Sequence, residues 1–165
     1  MRSVIAVLLL VVFAWAPVQA GSFAQSVSDV SPYAVGFGVI LPALTDHQEG
    51  KETTARYLDA QIAAGAVTEL LKHTIHERRP DGSDTFSFPS GHTSSAFALA
   101  GALSKTYPKQ KWLYIGLAAV VGWSRVDLHK HYWHDVAAGA VIGYSAGRWA
   151  VTTDRGILVG RVFKF

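Results

Sequence analysis

Apolar and polar positions alternate at helical spacing along most of the chain. From Ala55 to about His76 the apolar residues Leu58, Ile62, Ala66, Leu70 and Ile75 recur every four or five positions, the repeat of one buried helical face. Four further segments read as helix: Ser31–Leu44, Pro89–Tyr107, Trp112–Val126 and Tyr132–Ala150. Ser31-Pro32 fits a helix start, because proline is tolerated in a first turn, and Leu41-Pro42 a break or kink. The polar run "TDHQEGKETT" reads as a loop, with Thr53 or Thr54 capping the helix that follows. Arg79-Pro80-Asp81-Gly82 ends that helix and opens a loop reaching Phe88. Pro108 stops the next helix before a restart near Gln110, and a joint around Asp127–Lys130 separates the last two. The tail changes character: "RWAVTT", "DRG" and "ILVGRVFKF" read as a β-hairpin turning at Asp154–Gly156. The pattern predicts an all-α compact bundle of about five helices with a short C-terminal hairpin over residues 151–165.

The first twenty residues stand apart. Arg2 precedes an unbroken apolar run from Val4 to Ala16, Pro17 breaks it, and Val18-Gln19-Ala20 suits cleavage. These are the three regions of an export signal, and thirteen apolar residues fall short of a bilayer core of about 30 Å. Residues 1–20 are therefore read as a cleavable signal peptide, residues 21–150 as the functional domain, and the protein as periplasmic. Further along, the longest uncharged stretches are Val30–Thr45, Thr93–Ser104, Trp112–Val126 (interrupted by Arg125) and Val136–Gly147. All are shorter than the roughly eighteen consecutive apolar residues of a spanning helix, so they are assigned to a buried bundle. The glycines of "AAGAVIG" allow close helix approach.

Composition narrows the function only slightly. Without Arg2 the chain has 14 basic and 12 acidic residues, scattered rather than clustered, so no nucleic-acid partner is expected. With no cysteine, the exported fold relies on packing rather than disulfides.

Chemistry concentrates in three stretches. In "KHTIHERRP", Lys72 and Arg79 are seven apart and on a continuous helix would share a face. Two cations facing one way suit a multiply charged anion such as phosphate, although a solvated basic face has the same pattern. In "FSFPSGHTSSAF", Pro89 and Ser90 mark a helix start with Gly91 and His92 in its first turn. Unpaired N–H groups there favour anions, and Gly91 lets the backbone come close to a ligand. The bland alternative is an ordinary helix start with a surface histidine. In "SRVDLHKHYWHD", His131 and Asp135 are four apart on one helical face, so the carboxylate can hold the imidazole tautomer and leave Nε2 as nucleophile or base. Arg125 adds a third cation. A metal site from His129, His131 and His134 is the competing reading. Those histidines straddle the joint without a cysteine or downstream carboxylate to complete a set, so no metal is assigned.

Together the three stretches resemble the type 2 phosphatidic acid phosphatase (PAP2) superfamily. That superfamily includes lipid phosphate phosphatases, class A acid phosphatases and vanadium haloperoxidases, and its pattern is K-x6-R-P, P-S-G-H and S-R-x5-H-x3-D. All eleven fixed positions are present: Lys72, Arg79, Pro80, Pro89, Ser90, Gly91, His92, Ser124, Arg125, His131 and Asp135. The resemblance implies a helical phosphatase fold over about Lys51–Ala150 and a metal-independent hydrolysis of a phosphomonoester or diphosphate, without a cofactor. His131 would attack phosphorus, Asp135 orient it, and His92 protonate the leaving oxygen and then activate water. Lys72, Arg79, Ser90, Gly91 and Arg125 would bind the phosphate. The expected substrate is lipid-linked, with contact to a membrane surface. A soluble, broad-specificity class A type of enzyme is the alternative, and a vanadate-dependent haloperoxidase a remote one. His129 and His134 have no motif role and are read as local polar or rim residues. Phe86, Phe88, Trp123, Tyr132 and Trp133 are read chiefly as core, with some at a lipid-accepting mouth, and Asp81 and Asp127 as structural.

Overall fold

The structure, a computed structural model, describes residues 22–45, 49–152 and 158–159. Five α-helices follow one another: α1 (Phe23–Thr45), α2 (Glu49–Ile75), α3 (Gly91–Thr106), α4 (Lys111–Asp127) and α5 (Trp133–Thr152). A 3-10 turn, Pro108–Gln110, joins α3 to α4. The bundle expected from the pattern is the one observed, with three differences.

First, α1 starts at Phe23 rather than Ser31 and runs through both prolines. Pro32 has no N–H for the Ser28 carbonyl, and the Ser31 hydroxyl donates to that carbonyl instead at 3.1 Å, so the helix continues. At 23 residues, α1 is long and apolar enough to cross a membrane by length and composition, which the count of consecutive apolar residues did not register. Second, α2 begins at Glu49, so most of the expected loop is helical. It ends at Ile75, where His76 takes φ +52° and its N–H bonds the Lys72 carbonyl at 3.3 Å, an αL stop. Third, Arg148–Thr152, expected in the first hairpin strand, complete α5, because the helical face of Gly143, Gly147 and Ala150 stays buried to its end. The expected turn and most of the second strand, like the signal peptide, lie outside the described residues. Leu158 and Val159 are described, and their N–H groups bond the buried Asp59 carboxylate of α2 at 3.1 and 2.9 Å.

At the centre, α3 packs against every other helix, most extensively α5. Small residues make this possible. A Cβ on Gly143 would lie 2.0 Å from the Ser94 carbonyl oxygen, and one on Gly147 2.1 Å from that of Ala98. Both distances are well inside van der Waals contact, so only glycine lets the two backbones meet, the packing role expected of this segment. The core around α3 joins Val27, Val39, Tyr57, Leu99, Leu103 and Val121 with several alanines. Tyr57 spans it, its hydroxyl bonded to Thr106 at 3.0 Å.

Candidate active site

The three stretches meet at one end of the bundle, where the start of α3, the end of α4 and the start of α5 converge with the loop 76–90. Asp135 is its hub. Its side chain is fully buried, and its Oδ2 accepts the Ser87 hydroxyl at 2.5 Å and the Tyr132 N–H at 2.9 Å. Its backbone carbonyl accepts the Ser90 N–H at 3.1 Å, which ties the first turn of α5 to the start of α3. Burial raises the Asp135 carboxyl, but hydrogen bonds from His131, Ser87 and Tyr132 outweigh it and leave the pKa below the usual value. The carboxylate is therefore ionised.

His131 precedes α5 and is buried. Its Nδ1 lies 3.4 Å from Asp135 Oδ2 and its Nε2 3.4 Å from Arg79 Nη1. The Arg79 contact is a long hydrogen bond, whereas Nδ1 faces Asp135 without completing one. The sense of the Arg79 bond is fixed, since a guanidinium only donates. Nε2 must then present its lone pair, which places the proton on Nδ1, facing Asp135. Burial lowers the His131 pKa; the Asp135 bond opposes this, and Arg79, Lys72 and Arg125 reinforce it. The ring is neutral, with Nε2 available as a nucleophile.

The three cations reach this point from different elements. Lys72, on α2, is buried and donates to the Phe86 carbonyl at 2.6 Å. Burial and then the Arg79 charge lower its pKa. Arg79 does not share a helical face with Lys72, because α2 has ended four residues earlier. The loop carries it back instead, and Asp84 orients it through an Nε–Oδ1 bond of 2.7 Å. Arg125 is buried near the end of α4 and donates to the Ser28 hydroxyl on α1. Its pKa is also lowered, by burial and then by Arg79. Three cations held this close with one buried carboxylate among them leave a concentration of positive charge that an anion would relieve.

Ser90 caps α3 and is fully buried, its Oγ accepting the Thr93 hydroxyl at 2.9 Å. Gly91 opens the helix, where the first N–H groups have no partner within the helix. A Cβ on Gly91 would meet nothing nearer than a Thr68 methyl at 3.8 Å, so packing does not demand glycine there. His92 is half-buried. Desolvation, then Arg125, His131, Arg79 and Lys72, push its pKa down to about 4. The free site therefore holds His92 neutral.

His92 also borders a cavity of about 200 Å³ lined by Ser31, Pro32, Val35, Gly91 and Ser95. Ser31 and Val35 also line an apolar groove between α1, α3 and α4, together with Leu99, Leu103, Tyr114 and Val121 among others. The aromatics of the region are not core. Trp123, Tyr132 and Trp133 are exposed and Phe86 and Phe88 half-buried, because the loop and helix ends that carry them sit at the rim. His129 takes φ +54° at the joint and its carbonyl accepts the Asp81 N–H at 3.1 Å. It does not converge with His131 and His134. Among the described residues, the side chains that do bring three metal-ligand atoms together are Glu77, His134 and Asp135. Asp81 pairs with Lys130 at 2.5 Å.

Sequence reasoning missed Ser28, Ser87 and Asp84. Ser87 was within reach, two residues before Pro89 in a quoted stretch; Ser28 carried no signal, since it arrives from a different helix.

A family model described as the PAP2 superfamily matches residues 53–156. The lipid A 1-phosphatase of Porphyromonas gingivalis is 33% identical over 87 residues, covering 50% of this chain and 20% of that protein. Undecaprenyl-diphosphatase BcrC of Bacillus subtilis is 33% identical over 78 residues, covering 47% and 40%. Lipid phosphate phosphatase 2 of Arabidopsis thaliana is 42% identical over 126 residues, covering 50% and 43%. The chain thus spans less than half the length of these relatives. The crystal structure of Aquifex aeolicus LpxE superimposes with a TM-score of 0.69 at 22% identity, over 88% of this chain and 93% of that one, which shows a shared fold.

Proposed function

The chain belongs to the PAP2 superfamily, and on that premise we propose that it is a metal-independent phosphatase acting on a lipid-linked phosphomonoester or diphosphate through a phosphohistidine. The observation that carries this reading is the buried His131, placed with its Nε2 3.4 Å from Arg79 and its Nδ1 3.4 Å from the buried Asp135 carboxylate.

In the first step Nε2 attacks phosphorus while the bond to the leaving oxygen breaks and His92 gives that oxygen a proton. Asp135 stabilises the positive charge that forms on the imidazole. Lys72, Arg79 and Arg125 meet the charge developing on the non-bridging oxygens, with Ser90 and the Gly91 N–H beside them. In the second step His92 takes a proton from water, the oxygen attacks phosphorus, and the P–N bond breaks. His92 must be protonated for the first step, yet its pKa lies near 4 in the free site. Burial is the main cause of that depression and the cations add to it. An incoming phosphate dianion sets negative charge beside the ring and neutralises the cations, which raises the pKa and favours the charged acid.

A lipid-linked substrate is supported by the apolar groove that shares Ser31 and Val35 with the cavity beside His92 and by relatives named for lipid A, undecaprenyl diphosphate and lipid phosphates. The soluble broad-specificity reading gains nothing comparable. The leader-like pattern of Arg2–Ala20 supports a periplasmic site of action. Contact of α1 with a membrane is supported by its length and its outward-facing Phe23, Tyr33, Ile40 and Leu44.

The test is rapid acid-free quenching of enzyme mixed with phosphate-labelled lipid. Label that stays on the protein through alkali but leaves in acid, and is absent in His131→Ala, supports the phosphohistidine. Turnover with no such label, or label retained in the variant, would refute it.

A further inference from the structure

The two oxygens of Asp135 are held by different partners. Oδ2 takes Ser87, the Tyr132 N–H and the His131 side. Oδ1, also buried, has no hydrogen-bond partner, and the polar group that faces it is His134 Nε2 at 3.1 Å, a contact outside hydrogen-bond geometry. That same nitrogen lies 2.8 Å from Glu77 Oε1. Set against a carboxylate acceptor, Nε2 must carry its proton; it bonds Glu77 and lies against Asp135 Oδ1 without bonding it. Although its side chain is 59% exposed, the His134 ring is fixed. It stacks on Tyr132 at 5.3 Å and 10° and on Phe88 at 6.1 Å and 28°.

Glu77 closes the circuit from the other side. Its backbone carbonyl accepts the Ser87 N–H at 2.9 Å, and Ser87 is the residue whose hydroxyl bonds Oδ2. One residue of the loop after α2 therefore reaches both oxygens of the carboxylate, by its main chain through Ser87 and by its side chain through His134.

We propose that Glu77 and His134 are positioning residues, which lock the rotation of the Asp135 carboxylate and so aim it at His131. The proposal rests on His131 as the nucleophile. A carboxylate held at Oδ2 alone can swing its free oxygen, and the 3.4 Å contact to Nδ1 has little margin before it is lost. Neither residue belongs to the eleven-residue motif.

The experiment compares the full chain with His134→Ala, His134→Gln and Glu77→Ala, using dispersed phosphatidic acid in EDTA. The Nδ1–H signal of His131 is followed by NMR, and melting temperature is recorded. The amide of Gln can stand in for Nε2–H. We expect kcat to fall about ten- to a hundredfold in both alanine variants, the range typical of outer partners that orient a functional histidine, with KM within about twofold. His134→Gln should recover most of the loss, and the Nδ1–H signal should move upfield in the alanine variants alone. An unchanged kcat and signal in His134→Ala would overturn the proposal, as would a loss that Gln does not rescue and that follows melting temperature. A wild type without phosphatase activity, but with the same signal change in the variants, would refute the proposed function and still support the positioning role.

Discussion

At the residue scale, the proposed mechanism needs one histidine neutral as the nucleophile and a second that gains its proton when substrate arrives. Asp135→Asn preserves shape but offers an amide where Nδ1–H needs an acceptor, favouring the wrong tautomer. Turnover should fall by about 10³- to 10⁴-fold while the fold persists, which circular dichroism checks. Burial and the surrounding cations lower the His131 pKa, so the neutral form survives to lower pH than in a free imidazole. The acid limb of kcat/KM should therefore lie below about 6.5, as read from a pH–rate profile. His92 should titrate near 4 in the free protein and move upward when vanadate occupies the cradle, an NMR measurement; a pKa that vanadate leaves in place would contradict the proposed proton source. The eight residues nominated for the site from their motif spacing lie together at one end of the bundle. What was not legible was the support around them. Ser28 reaches Arg125 from a helix ninety-seven positions away in sequence, and Asp84 orients Arg79 from within a loop, where no periodicity operates.

At the element scale, the site depends on how closely α3 and α5 approach, because the Ser90–Asp135 bond crosses between them. Gly143→Ala would push a methyl to 2.0 Å from a carbonyl oxygen and should destabilise by about 1–3 kcal/mol or more. Gly116→Ala on α4 meets nothing within 4 Å and should instead stabilise by about 0.5–1 kcal/mol. Urea unfolding of the two variants compares them directly. Helix existence and order were readable from periodicity, and helix ends were not. Pro32 looked like a start because its rescue by the Ser31 hydroxyl depends on a rotamer rather than a pattern. Arg148–Thr152 looked like strand because β-branched residues carry that preference, which packing on α2 and α3 overrides.

At the scale of the whole molecule, a cradle that takes the phosphate, as proposed, leaves substrate choice to the surface around it. The groove between α1, α3 and α4, which shares Ser31 and Val35 with the cavity beside His92, is apolar, and α1 turns several large apolar residues outward. Val35→Glu, at the point where cavity and groove join, should lower kcat/KM for a lipid phosphate by tenfold or so, roughly the 1.4 kcal/mol that one poorly placed polar group costs. It should leave p-nitrophenyl phosphate within about twofold; equal losses on both substrates would argue that the groove does not take the lipid chain.

The most direct test of the central claim is phosphate release by the purified protein in EDTA, wild type beside His131→Ala, on lipid phosphates, lipid diphosphates and soluble phosphomonoesters. The account predicts turnover in chelator, fastest on a lipid-linked substrate and abolished in the variant. Activity that disappears in EDTA and returns with added metal, or that survives in His131→Ala, would contradict it.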